Sequence, residues 1–232
     1  MVNAKLLNDN HRTSFVSTIQ HLFQMPSEKF KLAVLVSGRG SNLQAIIDSI
    51  EENNLAAEIS LILSNVPDAY ALQRGKKHGL ESVFLDPKDF PNRDDYEKRM
   101  FEILQTKSID LVCLAGFMRI LGKKFIEGFS GKIINIHPSL LPAFPGLNVQ
   151  KKALEHGVKF SGCTVHFVNE EVDGGAIILQ AAVPILDADD VQSLSDRILE
   201  QEHIIYPEAI RLIVEDDLEF SGRRVSRKTR GN

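Results

Sequence analysis

From residue 30 onward the chain alternates short apolar runs with amphipathic stretches of helical spacing, and this alternation restricts the fold more than any other feature. The run at 32–37 ends in the glycine-rich turn Ser37-Gly38-Arg39-Gly40-Ser41-Asn42. Leu43, Ile46, Ile47 and Ile50 then recur on one face of a helix over 42–50. Further strands are predicted at 59–64, 83–85, 111–114 and 132–136, with helices at 69–78, 93–107 and 123–129 between them. Such alternation implies right-handed crossovers and an α/β domain whose twisted, mostly parallel sheet is flanked by helices. After His137 the pattern changes, because Pro138, Pro142, Pro145 and Gly146 force an irregular loop. A short helix at 149–156 follows. Strands at 164–168 and 176–186 then flank a hairpin or long turn at 169–175, an antiparallel addition in the C-terminal half. A long helix at 191–214 and a weak strand at 218–220 complete one domain.

Composition agrees with a soluble α/β domain: 232 residues, 43% hydrophobic and 25% charged, supply a real core. Disordered, collagen-like and disulfide-rich scaffolds are excluded. The apolar runs fall far short of the ~18 residues that span a bilayer, and the first thirty residues lack a secretory apolar segment. A cytoplasmic chain with no membrane partner is expected. Cys113 and Cys163 then read as buried free thiols. The formal net charge is −4, but Arg223, Arg224, Arg227, Lys228 and Arg230 crowd the last ten residues, so the remainder carries −9. A body of that sign repels a phosphate backbone. We therefore expect a solvated, frayed basic tail over 221–232 and no nucleic-acid partner. Residues 1–29 read as a polar extension, and 30–220 as the domain.

The turn at 37–42 joins a strand to a helix. Glycines admit close backbone approach, and a helix N-terminus offers unpaired N–H groups and a positive dipole end. No Gly-Lys-Ser/Thr follows, so it is not a Walker loop. Leu43 replaces the third glycine of a dinucleotide fingerprint, and Ser64-Asn65 ends the second strand where a ribose-binding acid would stand. A monophosphate site remains, alongside a purely structural turn. Ser41 or Asn42 could cap the helix or touch the ligand.

Lys132-Ile-Ile-Asn-Ile-His137 is the most informative stretch. Alternation along a strand places Asn135 and His137 on one side and Ile134 and Ile136 on the other. They stand at the carboxyl end of a parallel strand, where open α/β sheets bind ligands. A donor amide beside a titratable imidazole can stabilise an oxyanion and move a proton. Asp173, followed by Gly174-Gly175, is the candidate for orienting that imidazole, although Asp-Gly is also ordinary turn chemistry. His166 could mimic the role of His137 but reads as a buried structural histidine.

At these residues the chain closely resembles the phosphoribosylglycinamide formyltransferases, the folate-dependent enzymes of purine synthesis. The resemblance runs through Ser37-Gly-Arg-Gly-Ser-Asn-Leu-Gln44, Ala115-Gly-Phe-Met-Arg-Ile-Leu121, Asn135-Ile-His-Pro-Ser-Leu-Leu-Pro142, Asp173-Gly-Gly175, Gln201-Glu-His203 and Tyr206-Pro207. These occur in family order and cover residues 31–215. The resemblance implies a Rossmann-like formyltransferase fold in which Gly40, Ser41 and Asn42 bind the substrate phosphate and Glu202 contacts the ribonucleotide. Glu202 shares a helical face with Ile198 and Ile205 and so points toward the protein body. Met118, Arg119, Ile120 and Leu121 would line a folate pocket with Arg93 nearby. For Met118, Ile120 and Leu121, ordinary core packing stands beside that reading. The turn Asn169, Glu170, Glu171, Val172, Asp173 would close over the pterin. Leu199 stands where the family often has a polar residue, and residues 1–29 have no counterpart in the family core.

The implied reaction moves a formyl group from 10-formyltetrahydrofolate, acting as cosubstrate, to the amine of 5-phosphoribosylglycinamide. Asn135 and protonated His137 would stabilise the tetrahedral oxyanion, and Asp173 would favour the imidazolium. Both partners are small molecules. No metal is implied, since no clustered ligand motif occurs, and a monomer or homodimer is equally compatible. A formyltetrahydrofolate hydrolase shares the Asn-x-His and Asp chemistry but usually carries an N-terminal regulatory domain, for which thirty residues are too few. A methionyl-tRNA formyltransferase would need a further C-terminal domain. A non-catalytic sensor of phosphoribosyl ligands is the alternative from outside the enzymes.

Overall fold

Leu32, Ala33, Val34, Leu35 and Val36 are all fully buried, which is why this strand reads as one continuous apolar run instead of an alternation. Its side chains divide between two cores. Leu32, Val34 and Val36 pack with Leu43, Ile46, Ile198 and Ile210 on one face of the sheet. Ala33 and Leu35 pack with Tyr96, Met100, Leu104, Phe125 and Phe129 on the other. Burying each large side chain contributes roughly 1.5–3 kcal/mol, so the central strand is the axis of the domain.

The structure, a computed structural model, describes residues 29–229. The expected polar extension 1–29 therefore lies outside the described residues except for its last position. In chain order the elements are β1 (Phe30–Val36), α1 (Ser41–Glu51), β2 (Ala57–Ser64), α2 (Tyr70–Lys77), β3 (Ser82–Phe84), α3 (Arg93–Thr106), β4 (Leu111–Leu114), α4 (Lys123–Gly128) and β5 (Ile133–His137). The second half adds α5 (Val149–Glu155), β6 (Phe160–Phe167), β7 (Ile177–Pro184), α6 (Val191–Val214), β8 (Leu218–Ser221) and β9 (Arg224–Arg227). Both cysteines are free and buried. Among the described residues no helix is long and apolar enough to cross a membrane.

Among the described residues nine strands form one sheet in the order β3-β2-β1-β4-β5-β6-β7-β9-β8. β3, β2, β1, β4 and β5 are mutually parallel. β6 then runs antiparallel to β5, and β7 antiparallel to β6. The chain leaves β1 toward β2 on one side and later returns to β4 on the other. The carboxyl ends of β1 and β4 are thus a topological switch point, where a crevice opens. Loops 37–40 and 115–122 meet there: Ser37 N donates to Gly116 O at 3.1 Å, and Met118 N donates to Ser37 Oγ at 2.8 Å.

α6 is the long helix that closes one face. It starts at a capping box in which Asp190 accepts from Ser193 N and Ser193 Oγ accepts from Asp190 N. Tyr206 near its middle is fully buried, and its hydroxyl donates to Leu114 O at 2.9 Å. That bond ties the helix to the end of β4.

Two expectations change. β6 begins at Phe160, four residues before the strand read from sequence. Gly162 sits inside it because a Cβ there would lie 2.0 Å from Ala181 O on β7. The basic tail, moreover, is not frayed across its length. Beyond the expected strand near 218–220, the chain turns and adds β9, antiparallel to β8 and parallel to β7 at Ile177↔Arg224. Arg227 pairs with Glu208 and Lys228 with Asp216, so acidic groups of the body hold the basic segment that was expected to be free.

Candidate functional site

β5 delivers Asn135 and His137 to the carboxyl edge of the sheet, and β6 runs beside it with His166 opposite Asn135 and Thr164 opposite His137. Ile134 and Ile136 belong to the core on the far side, as strand alternation required. Across this pair the 168–176 connection folds back and brings in Asp173, whose backbone adopts the left-handed conformation (φ 54°) that Asp tolerates better than most residues.

The carboxylate of Asp173 lies between two imidazoles. Its Oδ2 is 3.5 Å from His137 Nδ1, and its Oδ1 is 3.8 Å from His166 Nε2. Gly146 N donates to Oδ2 at 2.8 Å, fixing the carboxylate to the proline-rich loop. The other ring nitrogen of His137, Nε2, is 3.1 Å from Phe144 O. Phe144 has φ 52°, and its carbonyl also accepts from Ser139 Oγ. Both ring nitrogens of His137 therefore face acceptors. A neutral ring can donate to one of them only, whereas an imidazolium donates to both.

His166 has a different set of partners. Its Nδ1 is 2.9 Å from Phe167 O, and a carbonyl only accepts, so Nδ1 carries a proton. Burial holds its pKa below the ordinary value, against the raising effects of the Phe167 hydrogen bond and Asp173. In this neutral tautomer Nε2 is an acceptor, and it takes a hydrogen bond from Asn135 Nδ2 at 3.2 Å. That contact orients the Asn135 amide with its NH2 inward. One of the two amide N–H bonds is held by His166, and the second is left for a ligand oxygen. His166 is buried, as its sequence context suggested, but it is also part of the site. Its signal lies in the Asn135↔His166 register, which requires the strand pairing.

At the end of β1, Gly40 adopts φ 67° and immediately precedes α1, with no side chain capping the helix. Capping by Ser41 or Asn42 is thus not what is found. The first-turn N–H groups of a helix lack intrahelical partners, and no side chain caps them here. Asn42 is buried, and its Nδ2 donates to Glu202 Oε2 at 2.7 Å. Its Oδ1 is buried with no hydrogen-bond partner among the described residues. Burial raises the pKa of Glu202 while the Asn42 bond lowers it. Ile198 is fully buried on the same helix face, and Ile205 is partly buried, so Glu202 points inward as expected.

The 115–122 loop divides by function. Met118 and Ile120 are 69% and 66% exposed, which removes ordinary core packing for these two, whereas Leu121 is 8% exposed and belongs to the core. Arg119 stacks its guanidinium over the Tyr96 ring at 5.0 Å. Arg93 lies 3.6 Å from Glu97, a buried carboxylate that accepts from Gly122 N at 2.9 and 3.0 Å and so closes the loop. Burial pushes the pKa of Glu97 up. Glu97 had no sequence signal, since it reads as one more acid in a charged helix.

The turn at 169–173 is held by one hydrogen bond of its own and one ion pair to a neighbouring helix. Asn169 Oδ1 accepts from Glu171 N at 3.1 Å, and Glu170 pairs with Lys123 of α4 at 3.0 Å. Val172 is exposed. Of this turn, only Asp173 reaches the histidines through its side chain in the contacts described above.

A family model described as "Formyl transferase" matches residues 30–210. The phosphoribosylglycinamide formyltransferase of Haemophilus influenzae is 47% identical over 188 residues, covering 81% of this chain and 89% of that protein. The trifunctional purine biosynthetic protein adenosine-3 of Drosophila pseudoobscura pseudoobscura is 48% identical over 219 residues, 94% of this chain. The chain spans only 16% of that relative's length. The crystal structure of glycinamide ribonucleotide transformylase 1 from Symbiobacterium toebii superimposes with a TM-score of 0.84 at 50% identity, covering 86% of this chain and 94% of that one. With the sheet order, the β5 histidine and the match over residues 30–210 in agreement, the chain belongs to the formyl transferase family.

Proposed function

We propose that the chain transfers the formyl group of 10-formyltetrahydrofolate to the amine of 5-phosphoribosylglycinamide, giving the formylated ribonucleotide and tetrahydrofolate. The observation that carries this reading is His137 held between the Phe144 carbonyl and the Asp173 carboxylate, beside an amide already oriented by His166. The names of the relatives support the substrate pair.

The neutral amine of the ribonucleotide attacks the formyl carbon, and the carbonyl oxygen becomes an oxyanion. The free N–H of Asn135 and the Nε2–H of His137 stabilise that charge, the oxyanion replacing the Phe144 carbonyl as partner of Nε2. Asp173 stays on Nδ1 and balances the imidazolium. Collapse of the tetrahedral adduct breaks the bond to the folate nitrogen; His137 Nε2 gives its proton to that nitrogen and takes up the one lost by the attacking amine. Gly40, Ser41 and Asn42 bind the phosphate through first-turn N–H groups. Glu202 contacts the ribonucleotide. Arg93, Met118, Arg119, Ile120 and the 169–173 turn take the folate, with exposed Met118 and Ile120 supplying apolar area and Leu121 backing the loop from the core.

Calorimetric titration with the ribonucleotide, followed by a folate absorbance assay, tests the assignment. Binding and ribonucleotide-dependent folate release are expected. Release without ribonucleotide would instead mark a hydrolase, and binding without turnover a sensor.

Gly40→Ala tests the phosphate loop. A Cβ at this position would lie 2.6 Å from Ala71 Cβ and 2.8 Å from Ala71 Cα, and the left-handed backbone costs a non-glycine residue roughly 1 kcal/mol or more. The loop must shift away from α2. The expected result is a KM for the ribonucleotide raised about tenfold, with KM for the folate nearly unchanged. Equal changes in both constants would count against phosphate binding here.

A further inference from the structure

The basic cluster near the C-terminus has no role in the reaction above, yet one of its members is aimed at the active-site turn. Arg223, at the tip between β8 and β9, donates from Nη2 to the carbonyl of Gly174, the residue after Asp173. The same hairpin holds both ends of the 168–176 connection. On the entry side Phe220 packs against Phe167 with ring centroids 5.3 Å apart, and Phe167 O is the acceptor that sets the tautomer of His166. On the exit side β9 joins the sheet beside β7 at Arg224↔Ile177. Arg227 and Lys228 pair with Glu208 and Asp216, anchoring the hairpin to the end of α6 and the turn after it.

The connection itself has little slack. A Cβ at Gly175 would lie 1.7 Å from Phe167 O, and one at Gly174 would lie 2.5 Å from Glu171 Cβ. With Asp173 at φ 54° just before them, the place of the Gly174 carbonyl acts together with the Gly146 N–H on Oδ2 to set where the Asp173 carboxylate points.

We infer that Arg223 is a positioning residue for formyl transfer: its hydrogen bond to Gly174 sets the Asp173 carboxylate against His137. This rests on the reading of Asp173 as the partner of His137. The phosphate loop and Glu202 lie on other elements, so substrate binding there is independent of Arg223.

The test compares Arg223→Ala, Arg223→Lys and Asp173→Asn in the full chain. Arg223→Ala is expected to lower kcat roughly fivefold, the scale of one lost charge-assisted hydrogen bond at an exposed position. KM for the ribonucleotide should not move, and the unfolding temperature should fall by no more than roughly 2–4 °C. Arg223→Lys should recover most of the loss, since an ammonium can donate to the same carbonyl. Wild-type kcat in Arg223→Ala while Asp173→Asn is impaired overturns the inference alone. So does a parallel rise in ribonucleotide KM, or no recovery with lysine. Wild-type turnover in Asp173→Asn overturns the reading of Asp173 and this inference with it.

Discussion

Replacing His137 with alanine is expected to lower kcat by about 10³-fold while the chain stays folded and still binds the ribonucleotide. The size follows from two losses at one atom. A proton-transfer group contributes roughly 10²–10⁴ in rate, and one oxyanion donor roughly 10²–10³. These overlap because the same Nε2–H serves both roles. Folding should survive because the neighbours of His137 keep other partners. The Phe144 carbonyl still accepts from Ser139 Oγ at 3.1 Å, and Asp173 still accepts from Gly146 N at 2.8 Å. A loss of roughly 1–3 kcal/mol in stability is the expected cost of the missing contacts. Steady-state kinetics beside a thermal melt checks both halves. Formyl transfer at the wild-type rate by a folded variant would remove His137 from the reaction.

Much of the architecture was legible because its causes are local. β1 is buried on both faces and is correspondingly a run of apolar residues. α6 announces itself by a cap at Asp190 and apolar spacing, and its read boundaries, 191–214, coincide with the helix. Asn135 and His137 were legible because alternation and strand direction alone place them at the open edge of the sheet. What escaped depends on pairing between distant segments. His166 acquires its role only through its register with Asn135 on another strand. Asn42 and Glu202 meet across 160 positions of sequence. The acceptor that holds His137 Nε2 is a backbone carbonyl, and its position depends on the course of the proline-rich loop, not on the identity of Phe144. β9 escaped for an electrostatic reason. An arginine-rich segment reads as solvated until Glu208 and Asp216 are known to face it.

Asp173→Asn separates orientation from charge at the centre of the site. Asparagine accepts the left-handed backbone that this position requires, so the turn should keep its course. The oxygen that faces His137 Nδ1 is also the one that accepts from Gly146 N. If the new amide keeps its oxygen there, His137 loses its negative partner, and the amide nitrogen is directed at His166 Nε2. That nitrogen already serves Asn135 at 3.2 Å, and at the 3.8 Å that separates it from this side of the Asp173 side chain the new N–H leaves that bond in place. The flipped amide would abandon Gly146 and offer an N–H to His137 Nδ1, which selects the neutral ring. Either way the imidazolium is disfavoured, and kcat should fall by about 10²–10³-fold, with the ribonucleotide KM little changed. The decisive measurement is the double variant. Because Asp173 acts through His137, adding Asp173→Asn to His137→Ala should cost less than about threefold more, far from the product of the two single losses. Multiplicative losses would mean that Asp173 contributes to the reaction by a route that does not pass through His137.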